Sequence, residues 1–505
     1  MVGLQIGLRA GELNAKIRSR GVHRGLMRGF ASVGCMVVGK TGGLDMVTRR
    51  RFGAMVGAAL LPGVARAQAD ADFQLQFDVV AGSQGEADAA LAAMVAGGRT
   101  DMIAGLILAL RFNRNRQGEI MAALQRLTGA DDREEWFDWM LWQEAHPEVV
   151  PHASYAAFMR EMHLQIDPNF DVFLKPEYLQ RDRMGIRIEE IAWGGVVKDG
   201  IPSLDNPSMI AAGDADYMRS DDLVFGVAIN GDVRAYPLRI MGWHEMFNDV
   251  IGGVSVALAY CTLCGAGILY DTKVRGRANP FVFGSSGFLY RSNKLMFDRA
   301  THSLWNQFTG KPVVGRLADS GIALMQRPVV ITSWKDWREA NPGTVILSQD
   351  TGYRRDYGSG VVYNDYFASA DLMFPALADQ ARQRQKDYVF GIQQFGAAKA
   401  WPLTAFARRP VINDAVGDVA VVVIGDDETR TVRAYARGAF QFSRQEFQFS
   451  RQEGALVSDD GVAWVMQEDA LVAGDGRRLE RVAGHVAYWF AWDGYLGDAS
   501  ELYAP

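Results

Sequence analysis

An internal repeat constrains this chain more than any other feature. The run "VFGVAINGDVRAYPLRIMGWHEMFNDVIGGVSVAL", beginning at Val224, aligns without a gap with "VFGIQQFGAAKAWPLTAFARRPVINDAVGDVAVVV", beginning at Val389; twelve of thirty-five positions are identical. Shared residues include Gly226/Gly391, Pro237/Pro402, Asn248/Asn413, Asp249/Asp414 and Gly252/Gly417. Such residues set turns, and the apolar runs between them read as strands. Further along, Trp334 and Trp337 match Trp489 and Trp492, while Trp305 and Gly315 match Trp464 and Gly474. Self-similarity of this kind implies one supersecondary unit used twice. The sequence thus predicts two copies of a β-rich, predominantly antiparallel module, over 184–347 and 385–505. A connector, 348–384, contains "DTGYRRDYG". Asn230-Gly231 between apolar runs predicts a tight hairpin, because both residues tolerate positive φ.

The region before the modules has a different texture. Over 86–183, "ADAALAAMVAGG", "TDMIAGLILALRF" and "GEIMAALQRLTG" space apolar residues three and four apart, which predicts a small α-helical domain. The fold class expected is α+β: helical N-terminal domain, then the duplicated β module. Trp136, Trp139 and Trp142 read as a packing stripe. Upstream, Thr48-Arg49-Arg50-Arg51-Phe52 followed by a short apolar run and Ala65-Arg66-Ala67 resembles a twin-arginine export signal over 46–69. Residues 1–45 then read as an upstream extension or a mis-assigned start. The expected location is periplasmic or secreted, with the twin-arginine export machinery as a partner. The net charge of −6 and the lack of a basic, aromatic-rich face argue against nucleic acid. No apolar run is long enough to span a membrane.

Removal of the leader would take Cys35 with it, leaving Cys261 and Cys264 in "AYCTLCGAG" as the remaining cysteines. The repeat acts as an internal control here. His244 aligns with Arg409, Glu245 with Pro410, Cys261 with Asp426 and Cys264 with Thr429. One copy keeps the module without these residues, so they point to a site in the first copy. Cys-x-x-Cys on a tight turn can chelate a metal, cycle as a dithiol or form a static disulfide. His244 supplements the pair as a third metal ligand, a Cys2His set with an open position that suits copper, zinc or iron. His244, Glu245, Asp298 and Arg299 are candidate catalytic groups, and Tyr290, His302 and Trp305 candidate pocket residues. The residue after Cys264 is Gly, which disfavours haem attachment, and "GAGILYD" reads as a strand where a thioredoxin-type site would have a helix. No phosphate-binding glycine loop, G-x-S-x-G or H-E-x-x-H is present. The perfect duplication "FQFSRQEFQFSRQE", Phe440–Glu453, reads as a bulged insert in the second module.

The motifs "GWHEMFND", "AYCTLCGAGILYD", "LYRSNKLMFDRATHSLWNQFTG", "TSWKDWREANPGT" and "DTGYRRDY" occur in an order that resembles a prokaryotic family known as domain of unknown function 3179. The resemblance covers roughly 200–505. It places the family's Trp-His-Glu on Trp243, His244 and Glu245, its cysteines on Cys261 and Cys264, and its Asp-Arg and Ser-Leu-Trp on Asp298, Arg299, Ser303, Leu304 and Trp305. This chain has Thr262 where the family commonly has Pro. The resemblance implies motif positions and no substrate. The expected function is a His/Cys/Cys transition-metal protein in redox or metal handling. The alternatives are a thiol–disulfide redox protein and a non-enzymatic envelope binding protein with a structural disulfide.

Overall fold

The computed structural model describes residues 63–438, 447–452 and 454–504. The expected extension, most of the expected export signal and the first FQFSRQE copy lie outside the described residues. The chain begins with α1 (Gly63–Ala81), α2 (Gln84–Ala96), α3 (Ile103–Phe112), α4 (Gln117–Thr128), α5 (Trp136–Ala145) and α6 (Tyr155–Ile166). Ser83 and Glu86 start α2 with a reciprocal capping box, and Gly129 stops α4 in the left-handed region at φ 74°. Trp139 and Trp142 pack with Leu91, Met94 and Leu106 in the helical core, and Trp136 lies against its edge.

Packing does not break at Arg183. Phe158, Met162, Phe170 and Phe173 share an apolar cluster with Phe288, Leu295 and Phe297 of the hairpin β6 (Phe283–Tyr290) and β7 (Asn293–Asp298). Each fully buried phenylalanine contributes about 1.5–3 kcal/mol. The helices are thereby fastened to the β region by one of their two cores.

Besides three short strands at Ile191–Trp193, Leu204–Asp205 and Met209–Ala211, the strands before this hairpin are β1 (Leu223–Ile229), β2 (Asp232–Pro237), β3 (Met246–Ile251), β4 (Val254–Cys261) and β5 (Ala266–Asp271), with α7 (Leu238–His244) between β2 and β3. After it come β8 (Val330–Ser333), α8 (Trp334–Ala340), β9 (Val345–Leu347), β10 (Tyr388–Gln394), β11 (Ala397–Pro402), β12 (Val411–Val416), β13 (Val419–Asp426), β14 (Thr431–Ala436), β15 (His485–Tyr488), α9 (Trp489–Leu496) and β16 (Glu501–Leu502). The expected hairpin joins β1 to β2, with Asn230 at φ 50° and Gly231 at φ 82°. Most strand pairs are antiparallel; β2–β9, β11–β16 and the pairing of the short strand Leu204–Asp205 with β3 are parallel. Among the described residues no helix is long and apolar enough to cross a membrane.

Corresponding parts of the two β regions use the same physical devices. One sheet has the order β8-β1-β2-β9 with the short strand Met209–Ala211 added beyond β9, and a four-stranded sheet has the order β15-β10-β11-β16. A Cβ on Gly226 would sit 2.3 Å from the Trp337 ring, and one on Gly391 2.0 Å from the Trp492 ring. Only glycine lets each indole lie flat on its strand. Asp249 accepts the Tyr236 hydroxyl at 2.6 Å and Arg234 at 2.9 Å; Asp414 accepts the Trp401 indole at 2.9 Å and Lys399 at 2.8 Å. Asn248 exchanges two hydrogen bonds with the backbone of Phe283, and Asn413 does so with Phe449. Phe225, Val227 and Phe247 share one core with Phe390, Ile392 and Val421, so the two regions bury their apolar faces against each other. The second FQFSRQE copy supplies the strand Phe449–Gln452, with Phe447 and Phe449 packed near Trp464.

Candidate functional site

Antiparallel pairing carries β4 to Cys261, which faces Ala266 at the start of β5. Cys261 and Cys264 close the turn between them with a disulfide, Cα to Cα 5.2 Å. Both are buried, at 2% and 0% exposure, so neither sulfur meets a macromolecular partner in this conformation. Gly265 leaves the turn at φ 61°, and a Cβ there would lie 2.8 Å from the Tyr388 ring. Glycine is required by both backbone and packing.

Three separate parts of the chain hold this turn. Thr262 donates its hydroxyl to Glu245 Oε1 at 2.8 Å. The connector helix Asn364–Ala368 brings the Tyr366 hydroxyl to the Leu263 carbonyl at 2.6 Å. At the end of β15, the Tyr488 backbone N–H donates to the Cys264 carbonyl at 2.8 Å. The Tyr388 and Tyr488 rings stack with centroids 4.4 Å apart, and Arg430 donates to the Tyr388 hydroxyl at 2.7 Å. Lys386 lies 3.7 Å over the Tyr366 ring, and its burial pushes the ammonium down to about 8.

Glu245 is the anchor inside. It caps α7 in the left-handed region at φ 54°, an uncommon conformation for a non-glycine residue. Its buried carboxylate pairs with the buried Lys294 ammonium of β7 at 3.0 Å and also accepts the Tyr363 hydroxyl at 3.3 Å. Lys294 follows a turn in which Arg291 and Ser292 both have positive φ, at 48° and 59°. That turn brings the Ser292 carbonyl oxygen to 3.6 Å from Cys264 Sγ. Buried Ser292 Oγ and Asn293 Oδ1 have no hydrogen-bond partner among the described residues. A small cavity is lined by Glu144, Glu190, Arg291 and Ser292. Burial raises Glu144 in it to about 7.

His244 faces elsewhere. Its Nδ1 lies 2.9 Å from the Pro202 carbonyl oxygen, which can only accept, so Nδ1 carries the proton. Nε2 then accepts the Tyr357 hydroxyl at 2.6 Å, and the Tyr357 oxygen accepts Thr351 at 2.6 Å. Burial lowers His244 to about 4 and keeps it neutral. The connector motif "DTGYRRDY" is therefore packed onto the Trp-His-Glu segment, where Trp243 also donates to the Asp356 carbonyl.

This arrangement corrects the expected cofactor. Cys261 and Cys264 are bonded to each other, and both nitrogens of His244 are engaged away from them. Among the described residues no group of three or more His, Cys, Asp or Glu is placed to hold a metal ion. A copper, zinc or iron centre on His244, Cys261 and Cys264 is not the arrangement this chain adopts.

The remaining candidates serve other contacts. Asp298, fully buried, accepts Thr301 and Ala300 backbone N–H groups and the Trp305 indole at 2.9 Å, which fixes its own turn. Arg299 pairs with Asp199 at 3.0 Å. His302 stacks on Phe297 and has positive φ. Tyr290 gives its carbonyl to the Tyr495 hydroxyl, and Trp305 packs on Phe281 and Phe283. The geometry joins Glu245 to the cysteine turn and gives His244, Asp298, Arg299 and His302 separate partners. Lys294, Tyr366 and Tyr488 were not read from the sequence as site residues. For Lys294 a signal existed, a lysine inside the otherwise apolar strand "NKLMFD".

Fold and site define the class: a mixed α/β protein, β-rich in its C-terminal part, with a buried Cys-x-x-Cys disulfide set against an internal ion pair. The chain belongs to the family described as Protein of unknown function (DUF3179), whose model matches residues 198–499. Comparison with curated proteins and with solved structures gives no match.

Proposed function

We propose that this protein is an exported thiol–disulfide redox protein whose working couple is Cys261–Cys264. The observation that carries the reading is the buried Lys294–Glu245 pair, which reaches the turn through Thr262. Turn closure by itself does not call for cysteine. At the aligned turn, the Asp426 carboxylate accepts the Thr429 N–H at 3.0 Å and its hydroxyl at 3.1 Å. A disulfide spanning so few residues adds only about 2 kcal/mol of chain-entropy stabilisation. The proposed reaction is exchange with a small dithiol. A partner thiolate attacks one sulfur, breaking the Cys261–Cys264 bond and forming a mixed disulfide. The partner's second thiol then displaces the other cysteine. Two electrons and two protons pass to Cys261 and Cys264, and the partner leaves as a disulfide. In the reduced state the Cys264 thiol could donate to the Ser292 carbonyl.

Burial of both sulfurs favours a second reading, a static disulfide in a non-enzymatic binding protein. Equilibrating the intact protein in dithiol buffers of graded potential, then trapping free thiols for mass measurement, separates the two. A midpoint above about −300 mV supports cycling, and a lower one supports the static bond. The proposed export predicts that protein recovered from the envelope begins between Gln68 and Asp70. The matched strand orders, tryptophan–glycine contacts and Asp/Asn hydrogen bonds support the further proposal that the two β regions descend from one module by tandem duplication.

A further inference from the structure

A second candidate site lies in the seam between the two β regions, apart from the disulfide. An open cleft of about 460 Å³ is formed there by residues of both regions. That volume falls in the ~300–1,000 Å³ range of small-molecule sites, which favour such interfaces. Beneath it lie Tyr270, Phe308 and Leu324, which are almost wholly buried. Three amides line it: Gln326 from the short strand beside β5, and Gln393 and Gln394 from the end of β10.

The charges in the cleft are already compensated. Arg327 is paired with the Asp271 carboxylate through both Nε and Nη2. Arg481 is paired with Glu468 and also donates to the Val329 carbonyl at 3.4 Å. An anionic ligand would have to compete with these carboxylates. The amides, by contrast, have open capacity. Gln326 uses Nε2 on His485 Nδ1 at 3.2 Å, and Gln394 uses Nε2 on the Ala483 carbonyl at 3.1 Å. Their Oε1 atoms, and both ends of the Gln393 amide, make no hydrogen bond to the described residues.

We infer that this cleft binds a neutral, hydroxyl-rich small molecule, a sugar or polyol of one or two rings. Its hydroxyls bridge the three amides, whose open donor and acceptor positions match neutral hydroxyl groups. No net charge is needed from the ligand, and none is offered by the site.

The test is titration of the intact protein with glucose and maltose, with glucuronate as the charged comparison, followed by ligand-observed NMR and calorimetry. Gln393 is exposed and Gln394 half-buried, so Gln393→Ala/Gln394→Ala preserves the core. Saturable binding of a neutral probe is expected, weakened about tenfold or more in the double variant. It is expected to be unchanged in Cys261→Ser/Cys264→Ser, which separates this site from the redox reading. Three results would overturn the inference: no saturable binding of either neutral sugar at millimolar concentration, glucuronate bound more tightly than both, or affinity unaffected by the glutamine changes.

Discussion

Replacing Lys294 with Met removes one member of the buried pair on which the cysteine turn rests. The Lys294 side chain is 4% exposed and that of Glu245 9%, with Nζ 3.0 Å from Oε2. Breaking a pair this buried costs about 3–5 kcal/mol, most of it the desolvation of the charge left behind. Two features place Lys294→Met near the lower end, about 3 kcal/mol. Glu245 Oε1 keeps the Thr262 and Tyr363 hydroxyls, and Met matches the volume of the lost aliphatic stem. Urea unfolding followed by circular dichroism measures the effect as a lowered midpoint at unchanged slope. Glu245→Gln and the double variant complete a thermodynamic cycle, with an expected coupling of about 1–3 kcal/mol. A loss below about 1 kcal/mol for Lys294→Met, or strictly additive single variants, would show that the pair is solvated and that Glu245 does not anchor the turn electrostatically.

Gly226→Ala and Gly391→Ala should each cost about 1–3 kcal/mol or more, because the new methyl meets a fixed indole ring at 2.3 and 2.0 Å. Thermal unfolding checks this, and a clear loss in only one of them would remove the argument that the two tryptophan–glycine contacts are equivalent. Acid should destabilise the fold through His244. Its pKa is lowered to about 4 from 6.5, so between these values the unfolded chain binds a proton the native state refuses. Stability from this group is full above about pH 6.5, falls as pH drops toward 4, and loses about 3 kcal/mol in total. His244→Gln should flatten that part of the pH–stability curve, and an unchanged curve would count against a neutral buried imidazole.

Much of the frame was legible because it is written in local chemistry. Asn230-Gly231 makes its hairpin wherever the hairpin sits, and the alignment pairs Gly226 with Gly391 and Trp337 with Trp492, although only the packing shows each glycine under its indole ring. The helices over 84–166 follow from apolar spacing and end at readable caps such as Ser83 and Gly129. Their boundary with the β region did not follow, since α6 shares its core with the β6–β7 hairpin and sequence texture carries no record of which apolar faces meet.

The sequence by itself determined the self-similar stretches at Val224 and Val389, the turn residues and the position of the cysteine pair at the end of a buried strand. Only the tertiary structure decided what surrounds that pair. His244 and Glu245 are neighbours in the chain, yet Glu245 leaves the helix in a left-handed conformation, so the two side chains part: one binds Pro202 and Tyr357, the other Thr262 and Lys294. Lys294, Tyr366 and Tyr488 reach the turn from distant parts of the chain, held there by cores that run across both β regions. Side-chain direction at a helix end and the meeting of remote strands are set by packing, and packing is a property of the folded whole.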